Sequence, residues 1–193
     1  MAVVHFAYGS KISCIETGTP VEIAVVNVDD SSQCFHGCSD ENTDSSQLLQ
    51  EFAAFLQHYV AIAKKKIVLV AFGAVHERAL LESALEGCGH RLPPNTTWLC
   101  TRTICTAAAP VSISSLHEFC ALRGILISDT NLSTRGTALT DAKAGAQLFR
   151  SLFEDPHDAE YSEGLAAVYE MEMQEMQDAE DARHVWEGEG EWE

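Results

Sequence analysis

The chain of 193 residues has single-domain length, and 46% hydrophobic with 21% charged residues is a globular composition that excludes wholesale disorder. Its formal charge of −17 is unevenly placed: residues 1–157 carry 11 basic and 16 acidic side chains, residues 158–193 one basic and 13 acidic. Such a balance gives no long-range steering toward a polyanion, and the acidic end repels one. No apolar run approaches the ~18 residues of a membrane-spanning helix. The start, MAVVHFAYGSK, lacks the basic-then-apolar layout of a signal peptide. The expectation is an intracellular protein (cytoplasmic, nuclear or in an organelle matrix), not secreted and not membrane-bound. Seven cysteines in no paired framework fit reduced thiols in such a compartment.

In chain order, KISCIETG at 11–18 alternates as a strand does and predicts one, with Ile12, Cys14 and Glu16 on one face. VEIAVVNV at 21–28 predicts a second strand, and the polar stretch DDSSQCFHGCSDENTDSS after it reads as loop. Leu48, Leu49, Phe52, Phe55, Leu56, Tyr59 and Val60 recur at helical spacing, which predicts an amphipathic helix over roughly 46–62. Lys64, Lys65 and Lys66 follow it and suit the negative end of its dipole.

IVLVAFG at 67–73 is a short β-branched run of the kind buried on both faces in an α/β sheet. HERALLESALEG at 76–87 predicts a helix closed by Gly87, and a short strand is expected near 97–100. SSLHEFCALRG at 114–124 predicts a helix with Ser115 and Glu118 as capping box and Gly124 as stop. Thr137–Phe153 predicts another, with Leu139, Ala142, Ala146, Phe149 and Phe153 on one stripe. Strands alternating with helices give an α/β fold class over residues 1–157. Residues 158–193 form a separate acidic C-terminal extension. There Leu165, Val168, Tyr169, Met173 and Met176 mark one helical face, read either as part of a solvated charge run or as a docking helix.

Four segments carry chemistry. They are Cys14-Ile15-Glu16-Thr17-Gly18; His36-Gly37-Cys38-Ser39-Asp40-Glu41; Ala71-Phe72-Gly73-Ala74-Val75-His76-Glu77 with Leu80 and Leu81; and Thr137-Ala138-Leu139-Thr140-Asp141-Ala142. In this order they resemble D-x-E-T-x-G, H-G-I-T-x-E, A-H-N-x-x-F-D and the end of H-x-A-L-x-D-A in the DEDD-type 3′–5′ exonucleases. The segments Trp98–Arg102 and Ser115–Gly124 are similar to the strand and helix that follow the third motif in that family. The resemblance covers about residues 10–153. It implies an RNase H-like three-layer fold, a mixed central sheet flanked by helices.

Phosphodiester hydrolysis by that route uses two metal ions about 4 Å apart, usually Mg²⁺ or Mn²⁺, held by carboxylates. The resemblance implies four acidic ligands, and a histidine five residues before the last aspartate as general base. Glu16 and Asp141 match two of these positions, and Glu77 stands where the family has an aspartate. Cys14 takes the first aspartate position and Gly136 the histidine position. A thiol is a soft ligand ill suited to Mg²⁺, and losing a general base alone costs roughly 10²–10⁴ in rate. Arg135 and His76 are possible substitutes, although His76 stands at a core phenylalanine position and is expected to be buried.

The implied reading is a catalytically inactive exonuclease-like domain acting as a structural or protein-binding module, with no cofactor. Its acidic extension suits a basic protein surface or a ribonucleoprotein component, or folds back over the cleft edge as a nucleic-acid mimic. The alternative is an active 3′–5′ exonuclease on single-stranded DNA or RNA, using Glu16, Glu77 and Asp141 with Mg²⁺ or Mn²⁺. Nucleic acid is a partner only if the cleft is functional, and a third class, a non-catalytic nucleic-acid binder, is disfavoured by the −5 charge of residues 1–157. Two metal readings rank lower. One is a zinc site made of Cys14, Glu16, Glu77 and Asp141. The other is Cys34-x-His36-x-Cys38, whose spacing is tighter than the usual C-x₂₋₄-C pair, so these are expected to be loop residues without metal. Cys88, Cys100, Cys105 and Cys120 are expected in core packing.

Overall fold

Residues 3–12 alternate between two apolar faces, with Val4, Phe6 and Tyr8 buried on one and Ala7 on the other, and this makes them a central strand. The computed structural model describes residues 3–12, 20–39, 44–63, 66–94, 96–108, 115–127 and 137–154, together with Glu170 and Gln174. Five strands form one sheet: β1 (Val3–Ile12), β2 (Pro20–Asn27), β3 (Cys34–Cys38), β4 (Lys66–Ala71) and β5 (Thr96–Cys100). Their spatial order is β3-β2-β1-β4-β5. β2 runs antiparallel to both β1 and β3, while β4 is parallel to β1 and to β5. The parallel strand β4 is buried on both faces, as its unbroken apolar run requires.

The helices are α1 (Ser45–Ala63), α2 (Ala74–Gly87), α3 (Thr101–Ala108), α4 (Leu116–Leu122) and α5 (Ala138–Glu154). On one face Leu48, Leu49, Phe52 and Leu56 of α1, with Leu81 and Leu85 of α2, pack on Phe6, Tyr8, Ile23 and Leu69. On the other, Ala138, Ala142, Ala146 and Phe149 of α5 close over Ala7, Ala24 and Val70, joined by Ile104 of α3 and Phe119 of α4. The fold is α/β, a mixed sheet between two helical layers. Among the described residues no helix is long and apolar enough to cross a membrane.

Several expected elements agree in place. The helix expected at 46–62 is α1, and the runs at 67–73 and 97–100 overlap β4 and β5. The capping box of α4 forms in full, with Ser115 Oγ accepting from the Glu118 amide at 3.2 Å and the Glu118 carboxylate accepting from the Ser115 amide at 3.3 Å. Gly124, at φ 68°, terminates that helix in the left-handed conformation. After α2 that task falls to Gly89, at φ 75°, rather than to Gly87.

Others differ. Of the strand expected at 11–18, Lys11 and Ile12 are the last residues of a strand that begins at Val3, and residues 13–18 lie outside those described. The stretch expected as loop contains β3, which as an edge strand is exposed at alternate residues and carries one large apolar side chain, Phe35. α3 is unexpected, because among its described side chains Ile104 and Cys105 are the only buried apolar ones. Lys66 opens β4 rather than closing α1, and Lys64 and Lys65 lie outside the described residues. The acidic extension does too, apart from Glu170 and Gln174.

Candidate functional site: a cleft at the strand ends

The carboxyl-terminal ends of parallel strands are where an α/β sheet leaves open space, since the chain departs into helices there. A cleft of about 220 Å³ lies at the ends of β1 and β4. That is below the ~300 Å³ lower limit of ordinary small-molecule pockets, so it admits a compact group only. Its floor is Tyr8, Gly9 and Ser10 of β1 with Ala71 of β4. Its polar wall comes from the first turns of three helices: Glu77 of α2, His117 of α4 and Asp141 of α5. Helix N-termini carry a positive dipole end, so two carboxylates are accommodated there at lower cost.

Each first turn has a local cause. α2 starts at Gly73, whose φ of 93° lets its carbonyl accept from the His76 amide at 3.0 Å. From there Ala74 and Glu77, three apart, share the inward side. α5 starts at Thr137, whose Oγ1 accepts from the Thr140 amide at 3.2 Å and whose carbonyl accepts from Asp141 N at 3.1 Å.

The two carboxylates are held differently. Ser10 Oγ donates to Glu77 Oε2 at 2.6 Å, a short charge-assisted hydrogen bond. Tyr8 hydrogen-bonds to the same serine. Its phenol is pushed up in pKa by burial and by the Glu77 charge, with the Ser10 bond opposing, so it stays neutral. Asp141 Oδ1 lies 3.3 Å from His117 Nε2, an ion-pair distance. This buried oxygen makes no other directed hydrogen bond. Burial pushes the Asp141 carboxyl above its ordinary value; His117 opposes that and the Glu22 carboxylate adds to it.

β1 supplies no carboxylate to this cleft among its described residues. Gly9 faces the start of α5 so closely that a Cβ there would sit 2.4 Å from the Ala138 carbonyl oxygen and 3.1 Å from the Ala142 amide. No side chain fits at that position without moving backbone.

Glu77 and Asp141 therefore share one cleft. Cys14, Glu16, Arg135 and Gly136 lie outside the described residues. His76, expected to be buried, is exposed, because two residues on from buried Ala74 a helix has turned about 200°. Of the four cysteines expected in the core, Cys105 and Cys120 are fully buried and Cys88 and Cys100 half-buried. Ser10 and His117 are cleft residues that sequence reasoning passed over. His117 sits inside the Ser115–Glu118 capping box, in the first turn of α4. No protein-family model matches the chain, and no curated protein matches it.

Proposed function

We propose that this chain is a catalytically inactive exonuclease-like domain of the RNase H-like kind, serving as a structural or protein-binding module. The observation that carries the reading is the seat of α5 on Gly9. The described end of β1 brings only glycine and serine to the cleft, and position 9 has no room for a side chain, while the first-motif positions Cys14 and Glu16 lie outside the described residues. Mixed sheet and two helical layers agree with the four-motif resemblance, in which Cys14 and Gly136 stand at ligand and base positions.

The donors described in the cleft do not fit a pair of dications. The described cleft offers two carboxylates, of which Glu77 is already engaged by Ser10, fewer than a pair of dications takes. The acidic extension, residues 158–193, supplies the complement to a basic protein surface or ribonucleoprotein component.

One arrangement favours the competing reading of an active, metal-dependent 3′–5′ exonuclease. Glu77, His117 and Asp141 do share a cleft, and His117 offers an imidazole that the position of Gly136 lacks. The deciding experiment is a nuclease assay on 5′-labelled single-stranded DNA and RNA with Mg²⁺ and with Mn²⁺, run beside Asp141→Asn. The expected result is no trimming above the variant at high protein concentration. Metal-dependent shortening that disappears in Asp141→Asn would overturn the proposal.

A further inference from the structure

A second polar cluster lies away from the cleft, at the outer edge of the sheet. β3 runs Cys34-Phe35-His36-Gly37-Cys38, and strand periodicity sends Phe35 into the core while Cys34, His36 and Cys38 share the opposite face. Opposite them on β2, Glu22 pairs with Cys38 and Ala24 with His36. The Ser39 amide donates to the Val21 carbonyl at 2.7 Å. In an antiparallel ladder this makes the neighbouring 22/38 position a non-hydrogen-bonded pair, where side chains stand closest. On the β1 side, the pairing shifts by one residue immediately before Glu22, an irregularity of the kind that re-aims a side chain.

The result is three different ligand atoms in one place. Glu22 Oε1 is 2.9 Å from His36 Nε2, Cys38 Sγ is 3.6 Å from the same nitrogen, and all three atoms lie within 4.8 Å of one another. Tetrahedral zinc, with bonds of about 2.0–2.3 Å, holds its ligand atoms roughly 3–4 Å apart, so the spacing needs only small side-chain rotations. Glu22 is buried, whereas His36 and Cys38 are exposed, which gives an ion both a fixed anchor and a path from solvent. The sequence spacing Cys-x-His-x-Cys is too tight for a loop-borne site. On a strand the i and i+2 side chains fall on one face, and the third ligand arrives from the neighbouring strand.

We propose that Glu22, His36 and Cys38 form a binding site for a borderline-soft divalent ion, zinc above all, with the fourth position open to water or a partner's side chain. One thiolate, one imidazole and one carboxylate suit zinc and disfavour Mg²⁺ and Ca²⁺, which take oxygen ligands. On binding, the Cys38 thiol gives up its proton. The hydrogen bond between His36 and Glu22 is replaced by two bonds to the ion, with the ring proton carried on Nδ1. Cys34 lies on the same face but four residues along the strand from Cys38, and it takes no part.

The test uses the full chain, kept reduced and stripped with a chelator, then dialysed against Zn²⁺ and analysed for bound metal. Affinity is measured by competition with a chromophoric chelator, and Co²⁺ loading reads the thiolate directly through its charge-transfer absorption. One ion per chain is expected. Cys38→Ser and His36→Gln should each weaken zinc by roughly 10²-fold or more, beyond the 10–100-fold typical of outer-shell partners. Cys38→Ser should also abolish the cobalt–thiolate band, and Cys34→Ser should leave both unchanged. Circular dichroism of Cys38→Ser, an exposed position, reports that the fold is intact. Substoichiometric metal, or binding indifferent to Cys38→Ser, would overturn the proposal, as would equal losses in Cys34→Ser and Cys38→Ser.

Discussion

On one face of the sheet, α1 and α2 pack through large rings and leucines; on the other, the first half of α5 packs through alanines and only its second half through Leu148, Phe149 and Leu152. The first face stacks Tyr8 on Trp98 with centroids 5.2 Å apart and Phe6 on Tyr59 at 5.0 Å, both edge-to-face. The second sets Ala138, Ala142, Ala144 and Ala146 against Ala7 and Ala24, and leaves Gly9 in contact with the α5 backbone itself. Large side chains bury area and hold their helices at arm's length, whereas small ones let a helix lie down on the strand. The polar groups follow from that difference. Asp141 in the first turn of α5 is lowered to the sheet, where it feels the charge of Glu22, and the cluster of Glu22, His36 and Cys38 shares α5's side of the sheet. The larger side chains are buried on the aromatic face; Asp141, Glu22, His36 and Cys38 lie on the α5 side, while Ser10 and Glu77 belong with Tyr8 and α2 to the aromatic side.

The largest effect that sharpens this contrast is expected from Phe52→Ala. Phe52 is fully buried and touches the rings of Tyr8 and Phe35, with centroids at 6.3 and 5.6 Å. Removing it should cost about 3–5 kcal/mol in urea unfolding, from lost transfer energy and the cavity left behind. A loss below about 1 kcal/mol would mean that the aromatic face collapses to fill the gap, and the contrast between the faces would fail.

Next in size is Gly9→Ala on the opposite face. In an unstrained strand, replacing glycine by alanine stabilises by about 0.4–1 kcal/mol through the unfolded chain. Here the new Cβ would meet the Ala138 carbonyl oxygen at 2.4 Å, and a backbone atom cannot swing aside as a flexible side chain would. Overpacking should dominate and destabilise by about 1–3 kcal/mol. Stabilisation in the same unfolding measurement would show that α5 rides higher on the sheet than its alanines indicate.

How much of this was legible beforehand differs between the two faces for a physical reason. Leu48, Phe52 and Leu56 announced α1 by their spacing, and IVLVA announced β4 by its unbroken apolar run, because burying large residues writes a strong period into sequence. β3 and α3 were missed since each buries few large side chains; CFHGC and TRTICTAA look like loop to any hydrophobic count. Val3 to Ser10 is carried by Val4, Phe6 and Tyr8, and its strand signal is weakened by Gly9 and Ser10 at its end. In the cleft, Glu77 and Asp141 were found through motif resemblance. Ser10 and His117 needed three dimensions, since nothing local links residue 10 to 77 or 117 to 141. Likewise Glu22 is sixteen residues from Cys38, and only the register joins them.

The smallest expected effect concerns Asp141, and its sign separates a vestigial carboxylate from a structural one. Burial, the leading cause, raises its pKa in the folded chain above the ordinary 3.8, with His117 opposing. A folded state that binds the proton more tightly than the unfolded state is favoured at low pH. The contribution is fully present below about 3.8 and is lost as pH rises through the folded value. Above that window the ionised side chain is a mild liability. Asp141→Asn keeps the shape and removes the charge, so it should raise stability at pH 7 and flatten the pH dependence above pH 4. The side chain is 33% exposed and faces a partly exposed histidine, so solvent screening keeps the gain under about 1 kcal/mol. Urea unfolding of parent and variant between pH 3.5 and 7 measures it. A variant less stable than the parent at pH 7 would mean that the His117 pair outweighs burial, and that α5 is seated by charge rather than by its alanines.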